Sequence, residues 1–405
     1  MGAPGRVAAV KRKSAGAAPK FRLAVDARVL GRRGVGRYLA NLLRALADSR
    51  EEFEARLYLA ESSVLEAAPA DPRFSVERLG TVHPAWAEQW AIPRRARAWG
   101  ADVLHFPDNS GPLRAGLPVV LTMHDTMWRR PLAEAIARPT GRQKIQDAYR
   151  KFVCPRAARA AAAVVTVSGH SAADIAATVG VSPERLRTIH EGVDPVFTRR
   201  LAPASVKALL KGLGVPGPYV LASGAADRRK NIDRLIRAYA RARVRNRRLA
   251  GSVLVVTSLR RGEVATTTYA ATAANEGVTE HVRFLPYVSD EQMKALYQGA
   301  LCYAFPSLWE GFGLPVLEAF SMGCPVLASN TTCLPEVAGE GAVYADPLDV
   351  DSLADGLVQA SAAAARGALV KKAAARLKGF SWAEAARLHA ETFRFAAFGP
   401  GRPPR

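Results

Sequence analysis

Two glutamates flank a short glycine turn in the stretch "FPSLWEGFGLPVLEAFSMGCPVLASN". Glu310 precedes the turn and Glu318 follows it, with seven residues between them. The segment "LCYAFPS" before the turn predicts a buried strand, and Pro315 favours the start of a helix after it. Free N–H groups in the first turn of that helix, together with the helix dipole, form an anion site. The pattern therefore predicts a phosphate site with a carboxylate on either side.

Carboxylates beside a phosphate site can accept hydrogen bonds from sugar hydroxyls. Glu318, one turn into the predicted helix, is placed to bind the paired hydroxyls of a ribose, and Glu310 can reach sugar hydroxyls on the other side of the phosphates. The two residues together would hold a sugar nucleotide, with its diphosphate at the glycine turn. The alternative for Glu318 is that it only complements the helix dipole.

A second patch, "SGAADRRKNIDRL", again runs from a strand end through a loop into a helix. Arg229 and Lys230 stand at the entry, and Asn231 is predicted to cap the helix. Two cations at such a loop can neutralise a diphosphate without a metal ion. The alternative is a solvated basic loop in a basic protein.

Strands and helices alternate along the whole chain, which predicts parallel, doubly wound sheets. The connection "EGVDPVFTRRLAPASVKALLKGLGVPGP" divides them into two α/β domains that face a cleft, and ligands bind at the carboxyl ends of such sheets. The predicted strands are "FRLAVDARVL", "EARLYLA", "DVLHFPDN", "LPVVLTMHD" and "AAAVVTVSGHS" in the first domain, and "YVLASGA", "SVLVVTS", "VRFLPYV", "LCYAFPS", "PVLASN" and "AVYAD" in the second.

The domain boundaries follow from this alternation and from composition. We expect a disordered basic arm at 1–20, a first domain at 21–200 and a second domain at 201–380. The final helix, 381–398, carries a Trp/Leu/Phe stripe that needs a partner, and 399–405 should form a tail.

The glutamate block and the basic loop resemble the signatures of retaining glycosyltransferases of the GT-B fold, family 4, the E-x7-E type also called glycosyl transferases group 1. The resemblance rests on "EGFGLPVLEAFSMGCPVLAS", on "RKN" and on "LPEVAGEGAVYADPLDVDSLADGL". In the first half it is looser and rests on "GVGRYLANLL", "DVLHFP", "TMHD", "VVTVSGHS" and "EGVDPVF". It extends from Phe21 to about Phe398 and implies a GT-B architecture of two Rossmann-like domains. The resemblance also implies that the final helix, 381–398, crosses back to the first domain.

The resemblance also implies residue roles. Arg229 and Lys230 would bind the donor diphosphate, Glu318 the ribose and Glu310 the transferred sugar, while His124 would meet that sugar from the other domain. Further donor contacts would come from backbone groups and loops, at Gly34, Gly36, Tyr287, Val288, Phe312, Gly313 and Leu314. The donor would be a GDP- or UDP-linked hexose, with mannose favoured, and no metal or other cofactor would be required.

Three positions differ from the family pattern near the base pocket and the phosphate loop. Thr257 or Ser258 stands where a glycine is usual, Pro286 replaces a glycine before Tyr287, and Ala225 stands where many members have Arg or Thr. These differences leave the identity of the nucleotide open.

Composition excludes several other classes of protein. No apolar run is long enough to span a membrane, and the first twenty residues lack the apolar core of a signal peptide, so we expect a cytoplasmic protein. The four cysteines lack metal-site spacing and are expected to be reduced core thiols. Asp349 and Asp351 superficially match a metal-binding D-x-D pattern, but helix capping is the expected role of Asp349.

Two alternative functions remain open at this point. One is a nucleotide-sugar epimerase of the same architecture, for which the sequence does not mark a set of acid/base carboxylates. The other is nucleic-acid binding through the net charge of +21. The basic residues are scattered and not interleaved with aromatic residues on one face, so no nucleic-acid partner is expected.

One basic segment of the first domain has two interpretations. In "GRQKIQDAYRKFVCPRAARA" the apolar residues Ile145, Tyr149, Phe152 and Val153 recur at helical spacing among Arg142, Lys144, Arg150 and Lys151. The apolar stripe can pack inside the domain, as an ordinary surface helix requires. It can also lie on an anionic membrane surface, which would suit a lipid-linked acceptor and a peripheral location at the inner face of the membrane.

Overall fold

The computed structural model describes residues 20–399 except 33, 62, 64–67, 137, 138, 216, 225, 226 and 260–266. Most of the predicted arm at 1–20 and all of the predicted tail after Gly399 lie outside the described residues. The described chain forms two parallel sheets with helices packed on them.

The sheet of the first domain has seven strands in the described residues, in the order β3-β2-β1-β4-β5-β6-β7. Every neighbouring pair is parallel. Five strands match the sequence prediction, whereas the two edge strands β3 and β7 were not predicted. The strands are β1 (Phe21–Asp26), β2 (Phe53–Leu59), β3 (Phe74–Arg78), β4 (Val103–Phe106), β5 (Val119–Thr122), β6 (Ala163–Thr166) and β7 (Leu186–Thr188).

The sheet of the second domain has six strands in the described part of the chain, in the order β10-β9-β8-β11-β12-β13, and is also parallel. Its strand order reverses between β8 and β11, the kind of switch point at which parallel sheets bind ligands. The basic loop follows β8 and the glycine turn follows β11. The strands are β8 (Tyr219–Ser223), β9 (Val253–Leu259), β10 (Val282–Pro286), β11 (Cys302–Phe305), β12 (Val326–Ser329) and β13 (Ala342–Ala345).

Helices separate the strands, as the sequence predicted. Among the described residues, no helix is both long enough and apolar enough to cross a membrane. The helices are α1 (Val35–Ala47), α2 (Pro84–Trp86), α3 (Ile92–Trp99), α4 (Leu132–Ala135), α5 (Gly141–Ala160), α6 (Gly169–Val179), α7 (Pro203–Gly212), α8 (Ile232–Arg245), α9 (Arg247–Ala250), α10 (Tyr269–Asn275), α11 (Asp290–Gly299), α12 (Leu314–Ser321), α13 (Leu334–Ala338), α14 (Val350–Ser361), α15 (Ala363–Leu377) and α16 (Trp382–Phe398).

Helix α16 packs against the first domain, on helix α1 and on strands β1, β4 and β5. The ring of Phe393 lies 6.3 Å from that of Phe21 and 5.1 Å from that of His105. The hydroxyl of Tyr38 lies 2.7 Å from Nε2 of the buried His389. The apolar stripe of the final helix therefore completes the core of the domain that begins the chain.

The basic segment forms helix α5, and the apolar residues of its stripe are partly buried and partly exposed. Val153 is buried, and the Tyr149 hydroxyl donates to Oε1 of Glu88 at 2.8 Å inside the domain. Ile145 and Phe152 remain 73% and 53% exposed. Only part of the stripe is therefore used for packing within the described chain.

The structure also shows the surroundings of the cysteines and of Asp349. All four cysteines are buried free thiols. The Asp349 side chain accepts the backbone N–H of Asp351 at 2.8 Å and so caps helix α14.

Candidate active site

A cleft of about 1540 Å³ separates the carboxyl ends of the two sheets and is lined by both domains. The predicted site residues fall into two groups around it. The cleft is lined by Gly34, Gly36, Arg229, Lys230, Tyr287, Val288, Leu314 and Glu318. His124, Glu310, Phe312 and Gly313 are not among the residues that line it.

The basic loop and the first glutamate form a direct pair. Lys230 Nζ donates to Oε1 of Glu310 at 2.6 Å, and both side chains are mostly buried. Arg229 Nε donates to Oδ2 of Asp227 at 2.7 Å. Burial alone would lower the pKa of Arg229, but the carboxylates of Asp227, Glu310 and Asp125 raise it above its ordinary value. Arg229 therefore stays charged at the edge of the cleft.

Asn231 is the N-cap residue of helix α8, as the sequence predicted, but its side chain does not bond to the helix N-terminus. Its backbone is left-handed, with φ of 58°, and this conformation directs the side chain away from the helix N-terminus. The amide instead donates to the carbonyl oxygens of Pro306 and Pro347 at 3.0 and 2.7 Å. Asn231 thereby ties the basic loop to the segment after β11, which leads into the glycine turn.

The glycine turn is seated against the first domain. The carbonyl oxygen of Gly311 accepts the Ser168 hydroxyl at 2.8 Å, and a Cβ atom at Gly311 would overlap the His124 carbonyl oxygen. Gly313 caps helix α12 with φ of 104°, a conformation that favours glycine. Phe312 between them is buried, 5.7 Å from the ring of Phe380. Gly311 is therefore required because the His124 carbonyl leaves no room for a side chain, and Gly313 because its backbone is left-handed.

Glu318 is 5% exposed and both of its oxygens are bound. Oε1 accepts Nη1 of Arg37 at 2.9 Å, and Oε2 accepts the Tyr297 hydroxyl at 3.2 Å. Burial raises the pKa of Glu318 to about 7, although Arg37 and Tyr297 act to lower it. The carboxyl group thus titrates near neutral pH at the wall of the cleft.

Arg37 was not identified from the sequence as a site residue. It lies in the first turn of α1, directly after the glycine loop of the first domain. Besides Glu318, it donates to Oδ1 of Asp290 at 2.5 Å, and its Nε lies 3.2 Å from Oδ2 of Asp194. A signal for it existed in the sequence, because a cation in the first helical turn after a predicted cleft loop faces the cleft.

Gly34 and Gly36 are required by the conformation and packing of the backbone. Gly34 has φ of 65°, and a Cβ at Gly36 would overlap the carbonyl oxygen of Val29. The loop therefore folds back on itself tightly enough to leave room in the cleft. On the opposite wall, Val288 is buried and Tyr287 is 59% exposed.

His124 is held by groups of its own domain. Its Nε2 donates to the carbonyl oxygen of Pro107 at 2.9 Å, and its Nδ1 lies 3.7 Å from Oε1 of Glu191. Burial alone would lower the pKa of His124, but Glu191 and the Pro107 carbonyl raise it above its ordinary value. The imidazole is thus oriented at the end of β5, beside the cleft residues Asn109 and Asp125.

A second polar contact joins the domains through Glu336. Its carboxylate accepts the backbone N–H groups of Gly169 and His170 at the start of α6, at 2.8 and 3.0 Å. Nε2 of His190 lies 2.8 Å from Oε1 of Glu336. Burial would raise the pKa of Glu336, but His190 and the two N–H groups lower it to about 2.

Ser258 is one of the two residues that stand where the family pattern has a glycine. It lies near the end of β9 with φ of 73°, a left-handed conformation that glycine adopts without steric cost. Of Thr257 and Ser258, Ser258 therefore has the backbone conformation that favours glycine, and it lines the cleft.

Comparison with family models decides the relationship. A model described as glycosyltransferase family 4 matches residues 32–197, and one described as glycosyl transferases group 1 matches residues 211–375. The chain is a family 4 glycosyltransferase of the GT-B fold. The resemblance drawn from the glutamate block and the basic loop is thereby confirmed.

Curated relatives agree with this family. The glycosyltransferase is 29% identical over 377 residues to O-antigen chain mannosyltransferase B of Escherichia coli, covering 86% of this chain and 92% of that one. It is 32% identical over 246 residues to the MMP alpha-(1->4)-mannosyltransferase of Mycolicibacterium hassiacum, covering 59% of this chain and 56% of that protein.

Solved structures share the fold of the glycosyltransferase. Sucrose-phosphate synthase from Thermosynechococcus elongatus superposes with a TM-score of 0.70 at 18% identity, covering 92% of this chain and 98% of that one. Anabaena HepE in complex with UDP and glucose gives a TM-score of 0.70 at 18% identity, covering 92% and 99%. The predicted architecture of two Rossmann-like domains around a cleft is thus confirmed.

Proposed function

We propose that this glycosyltransferase moves a mannosyl group from a GDP- or UDP-linked sugar to a glycan, lipid-linked or small-molecule acceptor, with retention of configuration. The pairing of Lys230 with Glu310 at 2.6 Å beside Arg229 carries the proposal. Arg229 and the Lys230–Glu310 pair lie together, so that the two cations would bind a diphosphate and the carboxylate a sugar. The printed names of the two mannosyltransferase relatives support the mannosyl group, and that of the O-antigen enzyme supports a polysaccharide acceptor.

The proposed chemistry needs charge compensation rather than a protein nucleophile. The diphosphate leaving group carries about two negative charges near neutral pH. Arg229, Lys230 and the N-terminus of α12 would offset them without a metal ion. The acceptor hydroxyl would attack the anomeric carbon from the side of the leaving group, and the departing phosphate oxygen would take its proton. Glu310 would hold the sugar while its bond to phosphate breaks.

The test is an assay of GDP-mannose, UDP-glucose and related donors with a panel of glycan and lipid-linked acceptors, each with EDTA and with Mn²⁺. We expect release of nucleoside diphosphate that is stimulated by an acceptor and unaffected by EDTA. The anomeric configuration of the product, read by NMR, should equal that of the donor. An inverted product would contradict retention, and activity restored only by Mn²⁺ would contradict metal independence. A donor converted to its epimer without acceptor would favour the epimerase.

We further propose an anionic lipid surface as a partner of helix α5. The exposed Ile145 and Phe152 support it, because they remain without burial among the basic residues of that helix. Each basic side chain near an anionic surface contributes about 1 kcal/mol. Such an orientation would bring a lipid-linked acceptor close to the first domain.

The protein is expected to co-sediment with anionic vesicles at low salt and much less with neutral ones. The matched variant Phe152→Ser should weaken this binding, because it removes exposed apolar area without changing charge. Equal and negligible sedimentation with both vesicle types at low and physiological salt would contradict a membrane partner. It would leave α5 as an ordinary surface helix.

A further inference from the structure

Arg37 is a first-domain side chain whose guanidinium contacts carboxylates of the second domain. It reaches Glu318 on α12 at 2.9 Å and Asp290 at the start of α11 at 2.5 Å. In its own domain, Asp194 lies 3.2 Å from Nε. The guanidinium carbon of Arg37 lies 5.4 Å from the centroid of the Phe197 ring, within range of a cation–π contact. The residue is therefore fixed from both sides of the cleft.

We propose that Arg37 is a positioning residue that couples closure of the cleft to donor recognition, by holding the Glu318 carboxylate oriented for the ribose hydroxyls. The inference rests on the proposed function, in which Glu318 binds the ribose. It adds to that function a residue from the opposite domain, which makes recognition of the nucleotide dependent on the domains being closed.

Glu318 has room for both Arg37 and a ribose. An ionised carboxylate offers about four lone-pair sites to hydrogen-bond donors. Arg37 uses one on Oε1 and Tyr297 uses one on Oε2. One site on each oxygen is left for the two adjacent hydroxyls of a ribose. Arg37 therefore supports this contact rather than replacing it.

The surroundings of Glu318 explain why it needs a cation. The titratable and charged groups that face it include Tyr297, Tyr303, Asp194, Asp290 and Arg37. Two of these are carboxylates, whose charge opposes ionisation of Glu318, and Glu318 itself is buried. Arg37 is the cation that the structure places on it in the described chain. Without Arg37, burial and the two carboxylates would favour the protonated form.

The experiment measures how strongly the protein distinguishes a ribose from a 2′-deoxyribose. Binding of GDP and dGDP, and of UDP and dUDP, is measured by calorimetry for the wild type, Arg37→Met and Arg44→Met. Arg44 is the matched control, because it lies on the same face of α1 and also lines the cleft, but its side chain donates to Asn41 of its own domain and not to Glu318. We expect the wild type to bind the preferred ribonucleotide about tenfold more tightly than its deoxy form.

In Arg37→Met this ratio should fall to about twofold or less, while Arg44→Met keeps the wild-type ratio. A pH series adds a measurement that mere loss of packing would not change. Because the pKa of Glu318 is raised to about 7, the wild-type ratio should rise between pH 6 and pH 8. In Arg37→Met the rise should begin at higher pH, because the neighbouring positive charge is absent.

The outcomes separate the inference from the function beneath it. If the wild type binds ribo and deoxy nucleotides equally, Glu318 does not bind the ribose, and both statements fail for this site. If the wild type discriminates and Arg37→Met keeps the full ratio, only the role of Arg37 is overturned. Should Arg37→Met unfold at assay temperature, Arg37→Lys takes its place. Lysine keeps the positive charge but lacks the planar, forked guanidinium. We therefore expect a ribose-to-deoxyribose affinity ratio between about twofold and the wild-type value.

Discussion

Replacement of Lys230 by alanine is expected to lower kcat/KM by at least about a hundredfold, which corresponds to about 3 kcal/mol of transition-state stabilisation. Two effects add in this variant. The departing diphosphate would lose a cation, and Glu310 would lose the ammonium group that donates to it at 2.6 Å. Glu310 would then lie in a mostly buried position without the partner that orients it toward a sugar.

The control for this variant is Arg228→Ala, in the same turn of the basic loop. Arg228 is exposed and is absent from the lining of the cleft, so its removal changes the charge without changing the site. We expect Arg228→Ala to stay within about twofold of the wild type, since surface charges contribute little. Steady-state kinetics with the best donor measures both variants. A Lys230→Ala enzyme that keeps more than a tenth of wild-type kcat/KM would contradict the proposed contact with the leaving group.

Addition of one methyl group at Gly311 is expected to lower kcat/KM about a hundredfold while each domain stays folded. The new Cβ would overlap the His124 carbonyl oxygen, which is fixed backbone at the end of β5. Because neither side of the contact is a flexible side chain, the glycine turn must move away from the first domain. A displacement of about 1 Å in the positioning of reacting groups can cost about a hundredfold in rate.

Gly367→Ala is the matched control for this substitution. Gly367 lies on helix α15, and a Cβ there would meet nothing within 4 Å. Alanine at that position should preserve activity and stabilise the helix by about 0.5–1 kcal/mol. Kinetics and thermal unfolding of both variants distinguish loss of closure from loss of fold. If Gly311→Ala kept the wild-type kcat/KM, activity would not depend on the close contact between the glycine turn and the His124 carbonyl.

Much of the fold could be predicted because the buried strands are short apolar runs between helices. The two missed strands are both at sheet edges. In β3, "FSVER", no residue is fully buried, so the apolar run that identifies the central strands is absent. Strand β7 has only three residues, "LRT", which is too short for a pattern. Edge strands depend on hydrogen bonding to a neighbour, and a neighbour distant along the chain leaves no local signal.

The glycine turn and the basic loop could be predicted because each is continuous along the chain. The contacts between domains could not be. Arg37 lies 281 residues from Glu318 and 253 from Asp290, and His190 lies 146 residues from Glu336. Each of these residues resembles an ordinary surface charge until the two sheets face one another. The side-chain partners of Asn231 were missed for a related reason, because folding brings Pro306 and Pro347 near it.

The path of helix α16 determines how such an enzyme can be recombined. The first domain is made of two separate pieces of the chain, because Trp382–Phe398 packs on α1 and on its sheet after the second domain is complete. A chimera that exchanges the first domain at a single crossover near residue 200 would pair a foreign sheet with the original final helix. Tyr38 and His389 would then come from different parents, and so would the rings of Phe21 and Phe393. Exchange of the whole first domain between relatives therefore requires two crossovers, so that both of its pieces come from the same parent.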